Sequence, residues 1–184
     1  YLGQSRLAEI ARKHGATINV KPVDYGRIFP ASGGLPVSRR APQRQEYRLV
    51  ELARWRDHLG VPLTVHPKFF PYDPSLAARL IIVAESRGTG AAMRLAGAIL
   101  RACWAEEGNM ADEDELATVV RDQGLEPRGL MAAAKSDEAQ ARYDELTAEA
   151  MELQIFGAPT YVYNKELYWG QDRLDFLDRA LAAG

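Results

Sequence analysis

The residues best suited to binding chemistry lie near the C-terminus, where Phe156 and Gly157 lead into Ala158, Pro159 and Thr160. An X–Pro bond adopts the cis form at modest energetic cost, and a cis turn at Pro159 would expose the backbone of Ala158. An exposed backbone segment can pair with a peptide-like ligand as an added strand. The other interpretation is an ordinary turn between a helix and a strand, and the motif alone leaves both open.

A second candidate follows at Gln171 and Asp172, directly before the predicted last helix. Asp172 is a good N-cap residue for that helix, which is the purely structural interpretation. The same geometry suits a ligand, because a helix N-terminus offers free N–H groups to a carboxylate. Asp172 would meanwhile accept a hydrogen bond from an amino group, so a free α-amino acid terminus would satisfy both groups.

Cys103 is the only cysteine of the chain, and it stands in an apolar helical stretch beside Ala102 and Trp104. A free cysteine in that setting is typically a small buried hydrophobic residue. Without a Cys-X-X-Cys motif, thiol exchange between two cysteines of this chain is excluded, and thiol chemistry requires a borrowed thiol. A chain that cannot form an internal disulfide fits a reducing compartment such as the cytoplasm.

Three arginines form the remaining candidate cluster. Arg39, Arg40 and Arg44 follow a Gly-Gly-Leu-Pro segment at the predicted start of a helix. They form either a solvated basic face or an anion site, because arginine binds carboxylates bidentately. Position along the chain leaves both interpretations open.

Composition narrows the class of protein. The 184 residues fit one domain, with room for an insertion. A net charge of −2 and a pI near 6.0 argue against a nucleic-acid partner. No stretch approaches the roughly 18 apolar residues of a membrane span, and no two histidines share a metal-ligand spacing.

Periodicity predicts a β-α-β half, a helical block and a β-β-α half. Because Tyr1 already stands inside a helical pattern, we expect a preceding segment, and one strand before Tyr1 would complete the first half. The order indicates an α/β, thioredoxin-like fold with a large all-helical insertion, with residues 1–60 and 154–184 as the thioredoxin-like domain and 61–153 as the insertion. The individual segments are a helix ending at Gly15, a strand at Thr17–Val23, a loop at Tyr25–Pro42, a helix at Gln43–Leu59, helices from Asp73 to Leu153, strands at Thr160–Val162 and Glu166–Trp169, and a final helix.

These motifs together resemble the 2-hydroxychromene-2-carboxylate isomerase family, whose relatives are the kappa-class glutathione transferases and DsbA-like proteins. The resemblance covers nearly the whole chain. It is carried by Tyr1-Leu2, by Gly34-Leu35-Pro36 leading to Arg44 and Tyr47, by Leu59-Gly60-Val61-Pro62, by Trp104, by residues 156–160, and by Trp169-Gly170-Gln171-Asp172-Arg173.

The resemblance implies glutathione as the cofactor, with a serine expected upstream of Tyr1 facing its sulfur. Ala158, before Pro159, would pair with the cysteinyl backbone of glutathione. Gln171 and Asp172 would hold the γ-glutamyl end, although Gln171 stands where the family usually has Ser or Asn. This sequence begins after the serine position, so the catalytic residue is unknown.

The resemblance also implies that Arg44 is a basic residue that contacts glutathione. The reaction would be isomerisation between 2-hydroxychromene-2-carboxylate and trans-o-hydroxybenzylidenepyruvate, or of a similar small aromatic or electrophilic substrate. Reversible thiolate addition would make a conjugated C=C bond single, so that it can rotate. A kappa-class-like glutathione transferase and a non-catalytic thioredoxin-like binding module are the alternatives, and the resemblance allows a homodimer.

Overall fold

Helices dominate the computed structural model, which describes residues 1–88 and 90–184. Its strands, β1 Thr160–Tyr163 and β2 Glu166–Trp169, form one antiparallel hairpin. Thr89, which falls in the predicted helical stretch from Asp73 to Leu153, lies outside the described residues. The α-helices are α1 Gln4–His14, α2 Tyr25–Ser32, α3 Pro42–Leu59, α4 Ser75–Ala84, α5 Ala91–Ala105, α6 Glu113–Asp122, α7 Pro127–Ala134, α8 Asp137–Glu152 and α9 Leu174–Ala183.

Two helices end or begin at residue types that favour those positions. Gly15 ends α1 in the left-handed conformation, with φ of 62°, which favours glycine. Asp112 caps α6 by accepting hydrogen bonds from the backbone N–H groups of Asp114 and Glu115. The Glu115 carboxylate does not complete the reciprocal half of a capping box, because it accepts from the backbone of Asn109 at 2.7 Å.

The larger hydrophobic core lies within the helical block. Leu80, Leu95, Leu116 and Leu130 come from α4, α5, α6 and α7, and each is almost completely buried. Burying a leucine contributes roughly 1.5–3 kcal/mol relative to leaving it exposed. The block therefore has its own source of stability.

A smaller core joins the two ends of the chain. Ile10 of α1 packs with Tyr168 of β2 and with Leu174 and Leu177 of α9. This packing brings the beginning of α1 to the turn that precedes α9. The candidate residues near the C-terminus therefore face the first residues of the chain.

The segment after α1 is attached to the helical block at α8. The Asp24 N–H donates to the buried Thr147 hydroxyl at 3.0 Å, and Arg27 forms an ion pair with Asp144 at 2.8 Å. The predicted loop over Tyr25–Pro42 is wrong in its first part, since α2 occupies Tyr25–Ser32. Its N-cap carboxylate and its packing on α8 offset the glycine and proline content that predicted a loop.

The strand predicted at Thr17–Val23 is absent, and this part of the described chain has no regular secondary structure. A strand requires ladder hydrogen bonds from a neighbour, and no described residue pairs with this segment. Leu49, Leu52 and Ala53 of α3 are half-buried, and no residue of α3 is fully buried. The boundaries 1–60, 61–153 and 154–184 stay a prediction.

Across residues 1–88 and 90–184, no helix has both the length and the apolar character needed to cross a membrane. The same residues contain no group of three or more His, Cys, Asp or Glu side chains arranged to hold a metal ion.

Candidate functional site

The turn that carries Ala158 and Pro159 connects α8 to β1, and the peptide bond between the two residues is cis. The Gly157 carbonyl accepts hydrogen bonds from the hydroxyls of Tyr25 at 2.7 Å and Thr160 at 2.6 Å. Ala158 is exposed, and within the described residues no hydrogen bond uses its backbone N–H or C=O. These peptide groups are therefore available to a ligand that pairs as an added strand.

Aromatic side chains form one flank of this turn. Trp169 approaches Gly157 so closely that a Cβ added at Gly157 would lie 2.3 Å from the indole Nε1. Phe156 packs against Trp169 with ring centroids 4.8 Å apart. Both rings keep much of their surface exposed, 43% for Phe156 and 51% for Trp169, so the flank can contact a ligand.

The turn at Gln171 and Asp172 lies beside the first one, because the Gly170 N–H donates to the Pro159 carbonyl at 2.9 Å. Residues Gln171–Arg173 form one turn of 3-10 helix, and α9 begins after it without a side-chain cap. The capping interpretation of Asp172 is therefore wrong. Its exposed carboxylate has an ion pair with Arg173 at 3.4 Å.

The beginning of α1 completes this group of elements. A Cβ added at Gly3 would lie 2.6 Å from the Tyr161 hydroxyl and 2.9 Å from Cβ of Gln171, so the absence of a side chain permits the contact. Arg6 donates to the Gln171 side chain at 3.4 Å and forms an ion pair with Asp175 at 2.6 Å. Burial raises the pKa of Tyr161 to about 12, so its hydroxyl stays neutral even in moderately alkaline solution.

Four of the predicted site residues are thus brought together: Ala158, Pro159, Gln171 and Asp172. Arg44, the fifth, lies exposed in the first turn of α3. No hydrogen bond or ion pair described for residues 1–88 and 90–184 joins it to the other four.

Cys103 is 2% exposed and faces the larger core, so the predicted burial is confirmed. Burial raises the pKa of its thiol above the ordinary value. A buried thiol with a raised pKa is a poor nucleophile, because the thiolate is the reactive form.

Two residues that hold the candidate site in place were not identified from the sequence. Arg6 contacts Gln171 across 165 positions of the chain, and no local motif could have indicated that pair. Tyr25, which fixes the carbonyl of Gly157, stands in the segment that was predicted as a loop. An Asp followed by an aromatic residue and Gly, as at Asp24, was the available sign of a helix start.

Comparison with known proteins places these features in a family. Residues 1–182 match the DSBA-like thioredoxin domain, which confirms the predicted thioredoxin-like fold with its helical insertion. The 2-hydroxychromene-2-carboxylate isomerase of Sphingobium xenophagum is 30% identical over 182 residues, covering 98% of this chain and 91% of that protein. The enzyme of the same name from Pseudomonas putida is 31% identical over 183 residues, covering 98% of this chain and 87% of that protein. A solved structure of a 2-hydroxychromene-2-carboxylate isomerase matches with a TM-score of 0.88 and 29% identity, covering 100% of this chain and 88% of that one.

Proposed function

Since the chain belongs to the DSBA-like thioredoxin domains and, within them, to the 2-hydroxychromene-2-carboxylate isomerases, we propose that it is a glutathione-dependent isomerase of aromatic catabolism. The dependence on glutathione is supported by the occurrence of two groups on neighbouring turns. One is the backbone of Ala158, which makes no internal hydrogen bond within the described residues, and the other is the exposed carboxylate of Asp172. Glutathione is a small peptide with a free α-amino group, and it needs both kinds of partner.

The residues of the two turns fit glutathione by their chemistry. The N–H and C=O of Ala158 offer one donor and one acceptor to the cysteinyl residue. The Asp172 carboxylate can accept from an α-ammonium group, and charge-assisted hydrogen bonds of that kind are among the strong ones. Gln171, held by Arg6, offers its amide to the same end of the ligand.

When bound, glutathione would supply a thiolate nucleophile for reversible addition to a conjugated C=C bond. The role of this chain is to bind and orient the peptide at the two turns, so that the addition becomes effectively unimolecular. Cys103 does not take that role, since it is buried with a raised thiol pKa. A glutathione-containing, reducing compartment such as the cytoplasm is part of the proposal.

The proposal is tested by following the absorbance of 2-hydroxychromene-2-carboxylate as it converts to trans-o-hydroxybenzylidenepyruvate. We expect enzyme-dependent conversion in the presence of glutathione, approaching the same equilibrium from either compound. No conversion, together with conjugation of glutathione to 1-chloro-2,4-dinitrobenzene, would contradict the isomerase assignment and indicate a transferase.

A further inference from the structure

Arg48 of α3 lies against two aromatic side chains from distant parts of the chain. Its guanidinium carbon Cζ is 5.6 Å from the ring centroid of Phe70 and 5.6 Å from that of Trp104. The two rings stand 4.7 Å apart with an interplanar angle of 46°, and both pack on the larger hydrophobic core. Contact with both rings therefore holds the guanidinium in one place.

This guanidinium is without a counter-charge in the described part of the chain. No carboxylate there forms an ion pair with Arg48, and its contacts are the two aromatic rings. Burial, and secondly the charge of Arg40, lowers the pKa of Arg48 below its usual range. Arg40 is itself fixed, because its Nε donates to the Leu35 carbonyl at 2.8 Å.

A half-buried guanidinium without a counter-charge is electrostatically unfavourable until an anion joins it. Arginine binds carboxylates with well-defined geometry because its guanidinium presents a fork of N–H donors. The remaining exposed surface of Phe70 and Trp104 adds an apolar, planar neighbour to that anion site. An aromatic carboxylate needs both features in one place.

The cluster is also linked by hydrogen bonds to Tyr1, which precedes α1. The Tyr1 hydroxyl donates to the Pro62 carbonyl at 2.7 Å, and the Thr64 N–H donates to the Trp104 carbonyl at 2.7 Å. Two hydrogen bonds and the three-residue segment from Pro62 to Thr64 therefore connect the first residue of the chain to Trp104.

We propose that Arg48 binds the carboxylate of the substrate while Phe70 and Trp104 contact its conjugated ring. This inference rests on the proposed function and deepens it, since it assigns the residues that select an aromatic carboxylate. The carboxylates of glutathione offer the same chemistry, so the experiment must separate the two sources. We assign the site to the substrate because the aromatic pair has no use in binding the glycyl end of glutathione.

The test compares Arg48→Gln with Arg48→Lys, using the isomerisation assay and calorimetry with chromone-2-carboxylate, a stable planar carboxylate. Hydrogen bonds to charged groups are worth about 1.5–3 kcal/mol, so Arg48→Gln should raise KM and the chromone-2-carboxylate Kd by roughly tenfold to a hundredfold. Arg48→Lys should recover part of the loss. Binding of the neutral chromone-2-carboxamide should change less than about twofold.

Arg54→Gln, on the same helix and with an exposed guanidinium that pairs with Glu51 at 2.7 Å, is the matched control and should leave chromone-2-carboxylate affinity unchanged. A weaker glutathione affinity in Arg48→Gln with unchanged chromone-2-carboxylate affinity would overturn the inference, as would equal losses for the carboxylate and the carboxamide. If the protein lacks isomerase activity but binds chromone-2-carboxylate through Arg48, the proposed function fails while the aromatic carboxylate site stands.

Discussion

At the scale of residues, the candidate glutathione site depends on groups that the fold leaves without an internal partner. The backbone of Ala158 makes no hydrogen bond within the described residues. In the part of the chain that the structure describes, the Asp172 carboxylate pairs only with its neighbour Arg173, at 3.4 Å. A polar group that folding leaves unpaired but exposed keeps its full capacity to bind a ligand. The same reasoning applies to Arg48, whose partners are aromatic rings.

Asp172→Asn should weaken glutathione binding, because the variant loses the charge that an α-ammonium group would meet. A loss of about 1.5–3 kcal/mol corresponds to a Kd raised roughly tenfold to a hundredfold, measured by isothermal titration calorimetry. Asp178→Asn is the control: it also removes a carboxylate near α9, but one that pairs with Lys13 at 2.9 Å. Equal glutathione affinities of the wild type and Asp172→Asn would show that this carboxylate is not a ligand contact.

At the scale of elements, the site is held by contacts between segments far apart in sequence. Thr147 of α8 is fully buried, donates to the Tyr143 carbonyl at 2.8 Å and accepts from the Asp24 N–H at 3.0 Å. This bond fixes the beginning of α2, and Tyr25 in turn holds the carbonyl of Gly157. The position of the turn at Ala158 therefore depends on the contacts between the start of α2 and α8.

Thr147→Val should destabilise the fold, since it leaves the partly buried Asp24 N–H without an acceptor. The expected cost is about 1–3 kcal/mol in the free energy of unfolding, measured by urea denaturation. Thr118→Val is a matched control, because the Thr118 hydroxyl donates to the carbonyl four residues earlier in the same way but is exposed on α6. If both variants lose the same stability, the Asp24 bond contributes nothing specific.

At the scale of the whole molecule, the burial of tyrosine side chains makes the stability of the fold depend on alkaline pH. The pKa of Tyr25, Tyr72, Tyr143 and Tyr161 is raised to about 12, chiefly by burial. The folded state keeps these protons at a pH where the unfolded chain, with ordinary tyrosine pKa values near 10, has lost them. Their contribution to stability is therefore full below about pH 10 and is lost as the pH rises towards about 12.

The urea midpoint should accordingly fall as the pH rises above about 10. Tyr143, which is 5% exposed, should account for about 2 kcal/mol or less of this loss. Tyr143→Phe should flatten the alkaline decline, whereas Tyr47→Phe, at an exposed position, should leave it as in the wild type. An unchanged decline in Tyr143→Phe would contradict the role of burial at that residue.

Local signals explain which parts of the fold were predictable from sequence. Some signals act within a few residues and can be recognised in the local sequence. They are Gly15 at the end of α1, the Asp112 cap of α6 and the Asn164–Lys165 turn. The helix at Tyr25–Ser32 was missed because its glycine and proline content favours a loop, whereas the packing on α8 that helps to stabilise it is not encoded locally.

The same distinction applies to the candidate site. Ala158, Pro159 and Asp172 belong to short motifs that can be read in the chain. The contact of Arg6 with Gln171 spans 165 positions, and the cluster of Arg48, Phe70 and Trp104 unites three separate segments. Such contacts are created by tertiary packing, which no local pattern encodes.

The isomerisation is proposed to use the thiol of glutathione rather than a thiol of the protein. Assays of Cys103→Ala with glutathione, with S-methylglutathione and with neither test this proposal directly. S-methylglutathione retains the groups that would bind at Ala158 and Asp172 but has no thiolate to add to a C=C bond. We expect near wild-type turnover of Cys103→Ala with glutathione, none without it, and inhibition by S-methylglutathione. Turnover without glutathione, or turnover supported by S-methylglutathione, would contradict the role of a borrowed thiol.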